Sequence, residues 1–302
     1  MLTNTLLRCI IGPMDSQSEL DLASAHQSFV KYLEDQKRAH ATILAYGKDI
    51  DQLVKFLLDL GKKNISEIQK DDLDAFLKKL SSDGYTPKSL SRKINSIKTF
   101  YRYLKNNNLI QVNPAAEISH PRYEVKPPRI LSKVEYRALR DACKGDPRTY
   151  AIVELFLQTG IRIGELANIK LGDIKDHELL VRAQEGHAER LVPLNKAAKS
   201  ALDDYLTVRP KVKNDSLFVT KTGRALLVRN IRTTIDRYFK LAGIENAKVN
   251  DLRHTFIAHH LMSGTPLTVI SKLVGHKRLS TTEKYLDLVK DKMSENVKLE
   301  EL

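Results

Sequence analysis

Two arginines, a histidine and a tyrosine in the second half of the chain are of types that together could do phosphoryl chemistry. Arg162 follows Thr159 and Gly160 in LQTGIRIGEL, at the end of an apolar stretch with helical character. A guanidinium just past a helix end can aim into a cleft. Arg253 stands with His254 in NDLRHTF, expected on the first turn of another apolar helix, and His276 precedes Tyr285 by nine positions in LVGHKRLSTTEKYL. Two guanidiniums can hold the non-bridging oxygens of a phosphodiester and stabilise the charge that grows in a pentavalent transition state. An imidazole can add a hydrogen bond or accept the phenolic proton. Tyrosine can then form a covalent phosphotyrosyl link, which keeps the energy of the broken bond so that strands rejoin without ATP. Each residue alone has an ordinary explanation: Arg162 as an ion-pair partner, His276 as a capping or core histidine, Tyr285 as one of 11 packed tyrosines. Their order and spacing lift the set above its parts. No Asp/Glu cluster or Cys/His ligand spacing calls for a metal, so neither metal nor other cofactor is expected.

These side chains need a scaffold, and hydrophobic spacing outlines one. Helices are expected at about 22–38, 41–60, 70–81 and 87–106. In the last, Leu90, Ile94, Ile97, Tyr101 and Leu104 recur at intervals of three and four, one buried stripe. The stretch NPAAEISHPRYEVKPPRILS, with four prolines, marks a linker at 113–131. Beyond it, Ser132 is a natural N-cap, a helix spans 147–159, and ELLVRA and ERLVPL flank QEGH as a β-hairpin. Further helices are expected near 196–207, 228–241, 250–262, 266–273 and 280–290. The fold class is therefore mainly α: a helical first domain at 22–112 after an extension at 1–21, and a second, mostly helical domain at 132–302 around a small antiparallel sheet.

Composition narrows the partner. Lys and Arg number 50 against 37 Asp and Glu, a net charge of +13, which favours polyanions and nucleic acid first. Aromatic residues make up only 6% and Trp is absent, which argues against single-strand binding by base stacking. Helix 87–106 carries Lys88, Arg92, Lys93, Lys98, Arg102 and Lys105 without an acidic residue, a cationic strip suited to a phosphate backbone. No run approaches the roughly 18 apolar residues of a membrane span, and no targeting signal is legible. Met14 could equally be the natural start. Cys9 and Cys143 suggest no disulfide framework, so a reducing cytoplasm fits.

The motifs TGIRIGEL, ERLVPL, DLRHTF and LVGHKRLSTTEKYL together resemble the tyrosine recombinase (phage-integrase) family, and the length and layout are most similar to the Xer recombinases. The resemblance runs from about residue 22 almost to the C-terminus. It implies a SAM-like, four-helix core-binding domain at 22–112 and a catalytic domain at 132–302. It further implies Arg162 and Arg253 as phosphate-clamping arginines, His276 as the late histidine and Tyr285 as the nucleophile. Double-stranded DNA would be the partner, with Thr42, Tyr46, Lys88, Arg92 and Asn95 as contacts. A homotetramer, a pair of dimers on two DNA sites, would exchange strands through a Holliday junction. The tail SENVKLEEL, with Val297, Leu299 and Leu302, would either dock in trans on a neighbouring protomer or fold back on its own domain. A DNA translocase is a further partner to consider, and the place of action would be the nucleoid in the cytoplasm.

The sequence departs from the family pattern at two positions. Where relatives carry a hairpin lysine that protonates the departing 5′-oxygen, this chain has Glu185, and no lysine lies between Lys175 and Lys196. Asn250 takes the place of the first histidine of the family's His-x-x-Arg motif. Asn250 can still donate to a phosphate oxygen, but a carboxylate with an ordinary pKa of about 4.3 has no proton to give near pH 7. His187, two residues on, is a candidate substitute acid. Beside the active recombinase therefore stands the alternative of an attenuated accessory protein that binds or synapses DNA, which restoring lysine at 185 would discriminate. An unrelated DNA-binding regulator would be indifferent to Tyr285→Phe.

Overall fold

The computed structural model describes residues 20–184 and 186–289. The chain divides into two compact units between Val125 and Lys126.

The first unit is built from α1 (Leu22–Asp35), α2 (His40–Asp59), α3 (Lys70–Ser82) and α4 (Pro87–Asn106). The Asp21 carboxylate accepts the backbone N–H groups of Ala23 and Ser24, which starts α1. Thr86 caps α4, with Pro87 in the first turn, where its missing N–H is harmless. The α4 stripe expected from spacing is buried in full, Leu90 through Leu104, and packs with Phe29 of α1, Leu53 of α2 and Phe76 of α3. Ala115 and Ile118 are buried in the same core, so the chain leaves this unit only after them. α1 stops three residues short of the expected end. Lys37 takes a left-handed φ of 51° and the Arg38 N–H reaches back to the Leu33 carbonyl, a C-terminal stop.

The cationic strip of α4 is the point where the expectation needs correcting. Lys93 is buried, 5% exposed, because position 93 lies beside the apolar stripe and faces α2. Its Nζ donates to Asp49 Oδ1 at 2.8 Å and Gln52 Oε1 at 2.7 Å. Arg92 grips the same carboxylate with both terminal nitrogens, and Ser96 Oγ adds a 2.8 Å bond. A carboxylate 3% exposed thus holds two cations in register across the α2–α4 seam. Removing one partner of a buried ion pair typically costs about 3–5 kcal/mol. Asp49→Ala is expected to lower stability by about that amount, read as a fall in the denaturant midpoint of the full chain.

The second unit is threaded by α6 (Pro147–Thr159), whose Ala151, Ile152, Val153, Leu155 and Phe156 are buried on every side. Around it lie α5 (Lys133–Cys143), α7 (Ile163–Ala167), the strands β1 (Glu178–Val181) and β2 (Arg190–Pro193), α8 (Lys196–Val208), α9 (Val228–Leu241), α10 (Val249–Met262), α11 (Leu267–Val274) and α12 (Ser280–Glu283). Ser132 caps α5 in a reciprocal box with Glu135. The two strands pair antiparallel, Glu178 opposite Pro193 and Val181 opposite Arg190, as the hairpin reading anticipated. Among the described residues no helix is long and apolar enough to cross a membrane.

Two local features escaped the periodicity. α7, five residues long, is too short to show one. The expected helix at 280–290 is broken: α12 ends at Glu283, residues 284–285 turn, and helical conformation resumes at 286–289. The cause is a tightening to i→i−3 bonds, with Tyr285 N–H on Thr282 O at 3.0 Å and Leu288 N–H on Tyr285 O at 3.1 Å.

Candidate active site

The site is organised by the C-terminal end of α11. Its last carbonyls, left without intrahelical partners, receive three guanidiniums. Arg190 Nε donates to Leu273 O at 2.7 Å, Arg253 Nη2 to Val274 O at 2.7 Å, and Arg162 to Val274 O at 3.2 Å and Gly275 O at 2.7 Å. The negative end of a helix dipole suits cations in this position. Arg162 and Arg253 thus share one acceptor, the Val274 carbonyl, which sets their guanidiniums side by side. Gly275 ends α11 in the left-handed region (φ 65°), and a Cβ there would lie 2.8 Å from Arg190 Nη1. Only glycine allows both the turn and the approach.

Arg253 is also held from α6. Gly160, the left-handed cap of that helix (φ 59°), accepts from Arg253 Nη1, and a Cβ on Gly160 would collide with the Phe256 ring. Arg253 lies in the second turn of α10, one turn later than expected, and is 6% exposed.

Sequence reasoning assigned no role to Glu165 or Arg190, although both stand inside the quoted motifs. Glu165 Oε1 accepts from Arg162 Nη1 and Arg190 Nη1, each at 2.9 Å, and Oε2 from the Arg162 backbone N–H and Arg190 Nη2, each at 2.8 Å. Burial alone would raise its pKa, but the hydrogen bonds from Arg190 and Arg162 and their charges bring it down to about 2. Three guanidiniums around one carboxylate leave an excess of two positive charges (3 − 1 = 2), the electrostatics of an anion site. Burial, then repulsion from Arg162, lowers Arg253 to about 9, still a cation at neutral pH.

His276 follows the α11 cap directly. Its Nδ1 shares a 2.7 Å hydrogen bond with the hydroxyl of the fully buried Thr282, leaving Nε2 for a ligand. Burial, followed by Arg253, Arg162 and Arg190, lowers its pKa to about 4, so the imidazole is neutral at pH 7. Tyr285, just past α12, packs among Phe256, Ile270 and Val289 and meets His254 edge to face at 5.9 Å. Burial raises its pKa and the Arg253 charge partly offsets this. No hydrogen bond to a described residue engages its hydroxyl.

The remaining expected residues separate. Asn250 is exposed in the first turn of α10. His187 pairs with Gln184 through both backbone hydrogen bonds at the hairpin tip, and its Nδ1 is buried without a partner among the described residues. Burial and the nearby Arg162 and Lys277 charges lower its pKa. Glu185 and the tail residues Val297, Leu299 and Leu302 lie outside the described residues. In the first unit, Lys88, Arg92 and Asn95 line an open depression of about 390 Å³ with Ser89, Ser91 and Tyr123. Thr42 and Tyr46, half-buried on α2, precede Asp49 by seven and three positions and share its stripe. Among the described residues, no group of three or more His, Cys, Asp or Glu is placed to hold a metal ion.

Comparison with known proteins decides the lineage. The phage integrase family matches residues 129–292, and the phage integrase N-terminal SAM-like domain matches 27–108. This chain belongs to the phage integrase family. It is 30% identical over 290 residues to the tyrosine recombinase XerC of Corynebacterium efficiens, covering 93% of this chain and 92% of that relative. The crystal structure of XerA recombinase matches at 27% identity and TM-score 0.52, covering 92% of this chain and 99% of that one. A lambda integrase tetramer bound to a Holliday junction matches at 20% identity and TM-score 0.72, covering 92% and 82%. The last shows likeness of fold alone. As a member of the family, the protein is a site-specific tyrosine recombinase.

Proposed function

We propose that this recombinase cleaves and rejoins duplex DNA through a 3′-phosphotyrosyl intermediate, with Tyr285 as nucleophile and Arg162, Arg253 and His276 around the scissile phosphate. The observation that carries this reading is the pair of guanidiniums on one carbonyl with a neutral imidazole beside them. A phosphodiester offers one negative charge and two non-bridging oxygens to that pair. Tyr285 Oη attacks phosphorus, its proton passes to His276 Nε2, and the P–O5′ bond breaks as charge on the phosphoryl oxygens is met by the arginines. Asn250 supplies a hydrogen bond in place of a cation. Attack by a 5′-hydroxyl reverses the step.

Glu185 stands where a lysine would protonate the leaving oxygen, and general acid catalysis contributes about 10²–10⁴-fold. Protonation of the departing 5′-oxygen therefore draws on another group. The basic α4 face, with Lys88, Arg92 and Asn95, and the α2 stripe with Thr42 and Tyr46 would follow the DNA. By likeness to the lambda integrase tetramer bound to a Holliday junction, four protomers would assemble on a junction. Action on the nucleoid in the cytoplasm, with a DNA translocase as an accessory partner, fits that role.

The test is covalent capture. Duplexes enriched for binding from a randomised pool carry a 5′-bridging phosphorothiolate at the cleavage positions, so that the leaving sulfur departs as a thiolate without needing a proton. A protein–DNA adduct stable to denaturation, mapped to Tyr285, is the expected result. Tight binding without any adduct would refute the phosphotyrosyl reading.

A further inference from the structure

The hairpin tip receives a cation from another element. Gly186, next to Glu185 in sequence, has no side chain, and the space beside it is taken by Lys277, whose Nζ lies 2.9 Å from the point a Cβ would occupy. Lys277 directly follows His276 and so issues from the same α11 end that gathers the arginines. No ion pair or hydrogen bond to a described residue engages its ammonium. No described residue supplies it with a counter-charge, and it joins Arg162 and Arg190 as a positive neighbour of His187, a repulsive grouping in the free protein. A bound phosphate reverses that sign.

We propose that Lys277 is the general acid of the cleavage step, its ammonium protonating the departing 5′-oxygen in the role of the family's hairpin lysine. This rests on the phosphotyrosyl reading of the site. The Tyr285 Oη–P bond forms as P–O5′ breaks. The phenolic proton goes to His276 and an Nζ proton to O5′, giving a 5′-hydroxyl and a neutral amine. In rejoining, the amine takes the proton back from the attacking hydroxyl. A four-carbon stem with three rotatable donors gives lysine the reach for this from outside the hairpin. His187 is the rival, but burial and the Arg162 and Lys277 charges lower its pKa, so it holds a proton less readily than an ammonium does.

The experiment compares adduct formation by the full chain on the same binding-enriched duplexes in two forms, normal 5′-oxygen and 5′-bridging sulfur. Lys277→Ala is expected to slow the oxygen form about 10²–10⁴-fold while cleaving the sulfur form at the wild-type rate. Equal loss on both forms would make Lys277 a phosphate-holding or structural residue and overturn the proposal. So would no loss on either form, or an oxygen-specific loss from His187→Ala in place of Lys277→Ala. If wild type forms no adduct even with sulfur, the phosphotyrosyl reading itself fails first, which is a separate and recognisable outcome. Lys277 is exposed, so the variant keeps its fold, and DNA binding measured alongside confirms it.

Discussion

Tyr285→Phe is expected to abolish covalent capture while leaving the chain folded and bound to DNA. The ring does the packing: it is buried with Phe256, Ile270 and Val289, and phenylalanine fills the same volume. The hydroxyl makes no hydrogen bond to a described residue, so its removal strands no partner among them. Stability should therefore change by less than about 1.5 kcal/mol, whereas adduct formation should fall by at least about 10⁴-fold, since loss of a nucleophile removes the chemical step. A denaturing gel reads the adduct and a melting curve reads the fold. Persistence of the adduct would move the nucleophile to another of the 11 tyrosines. A melting point that fell with the activity would instead give Tyr285 a structural role.

Glu165→Ala carries the second large effect, on stability and chemistry together. It removes the carboxylate that accepts four hydrogen bonds and leaves Arg162, Arg190 and Arg253 facing one another. Breaking a buried pair on one side costs about 3–5 kcal/mol, which for a unit of this size lowers the melting temperature by about 6–20 °C. Cleavage falls as well, because Arg162 loses the contact that aims it. The pH dependence has a defined sign. Glu165, lowered from its ordinary 4.5 to about 2, contributes stability that is present above pH 4.5 and lost as pH falls through about 2. His276, lowered from 6.5 to about 4, also makes acid unfavourable: between those values the unfolded imidazole binds a proton that the folded one refuses, so stability declines as pH drops from 6.5 to 4. Melting curves from pH 7 to 2 should show wild type losing stability across both windows. Glu165→Ala should keep the upper window and shrink the lower, to which Glu135, Asp146 and Asp173 also contribute. An unchanged lower window would remove Glu165 as one of its sources.

Much of this protein is legible in one dimension because the physics involved is local. The α4 stripe from Leu90 to Leu104, the Ser132 cap and the hairpin either side of QEGH follow from helical period, capping and turn chemistry, which act over a few residues. The order of Arg162, Arg253, His276 and Tyr285 along the chain identified the family, and the family comparison agrees. Tertiary structure decided the rest, since it depends on what packing brings together from afar. That Val274 O receives guanidiniums from Arg162, 112 positions away, and Arg253, 21 away, is set by how α11 docks against α10 and β2. The same docking gives Glu165 and Arg190 their partnership. It also brings Lys277 to the tip beside Gly186. Lys93 shows the converse: read alone it is a surface cation, and only a carboxylate on the facing helix, 44 positions earlier, makes it a buried one. Spacing encodes which face a residue is on. Which charge meets which is a property of the folded chain.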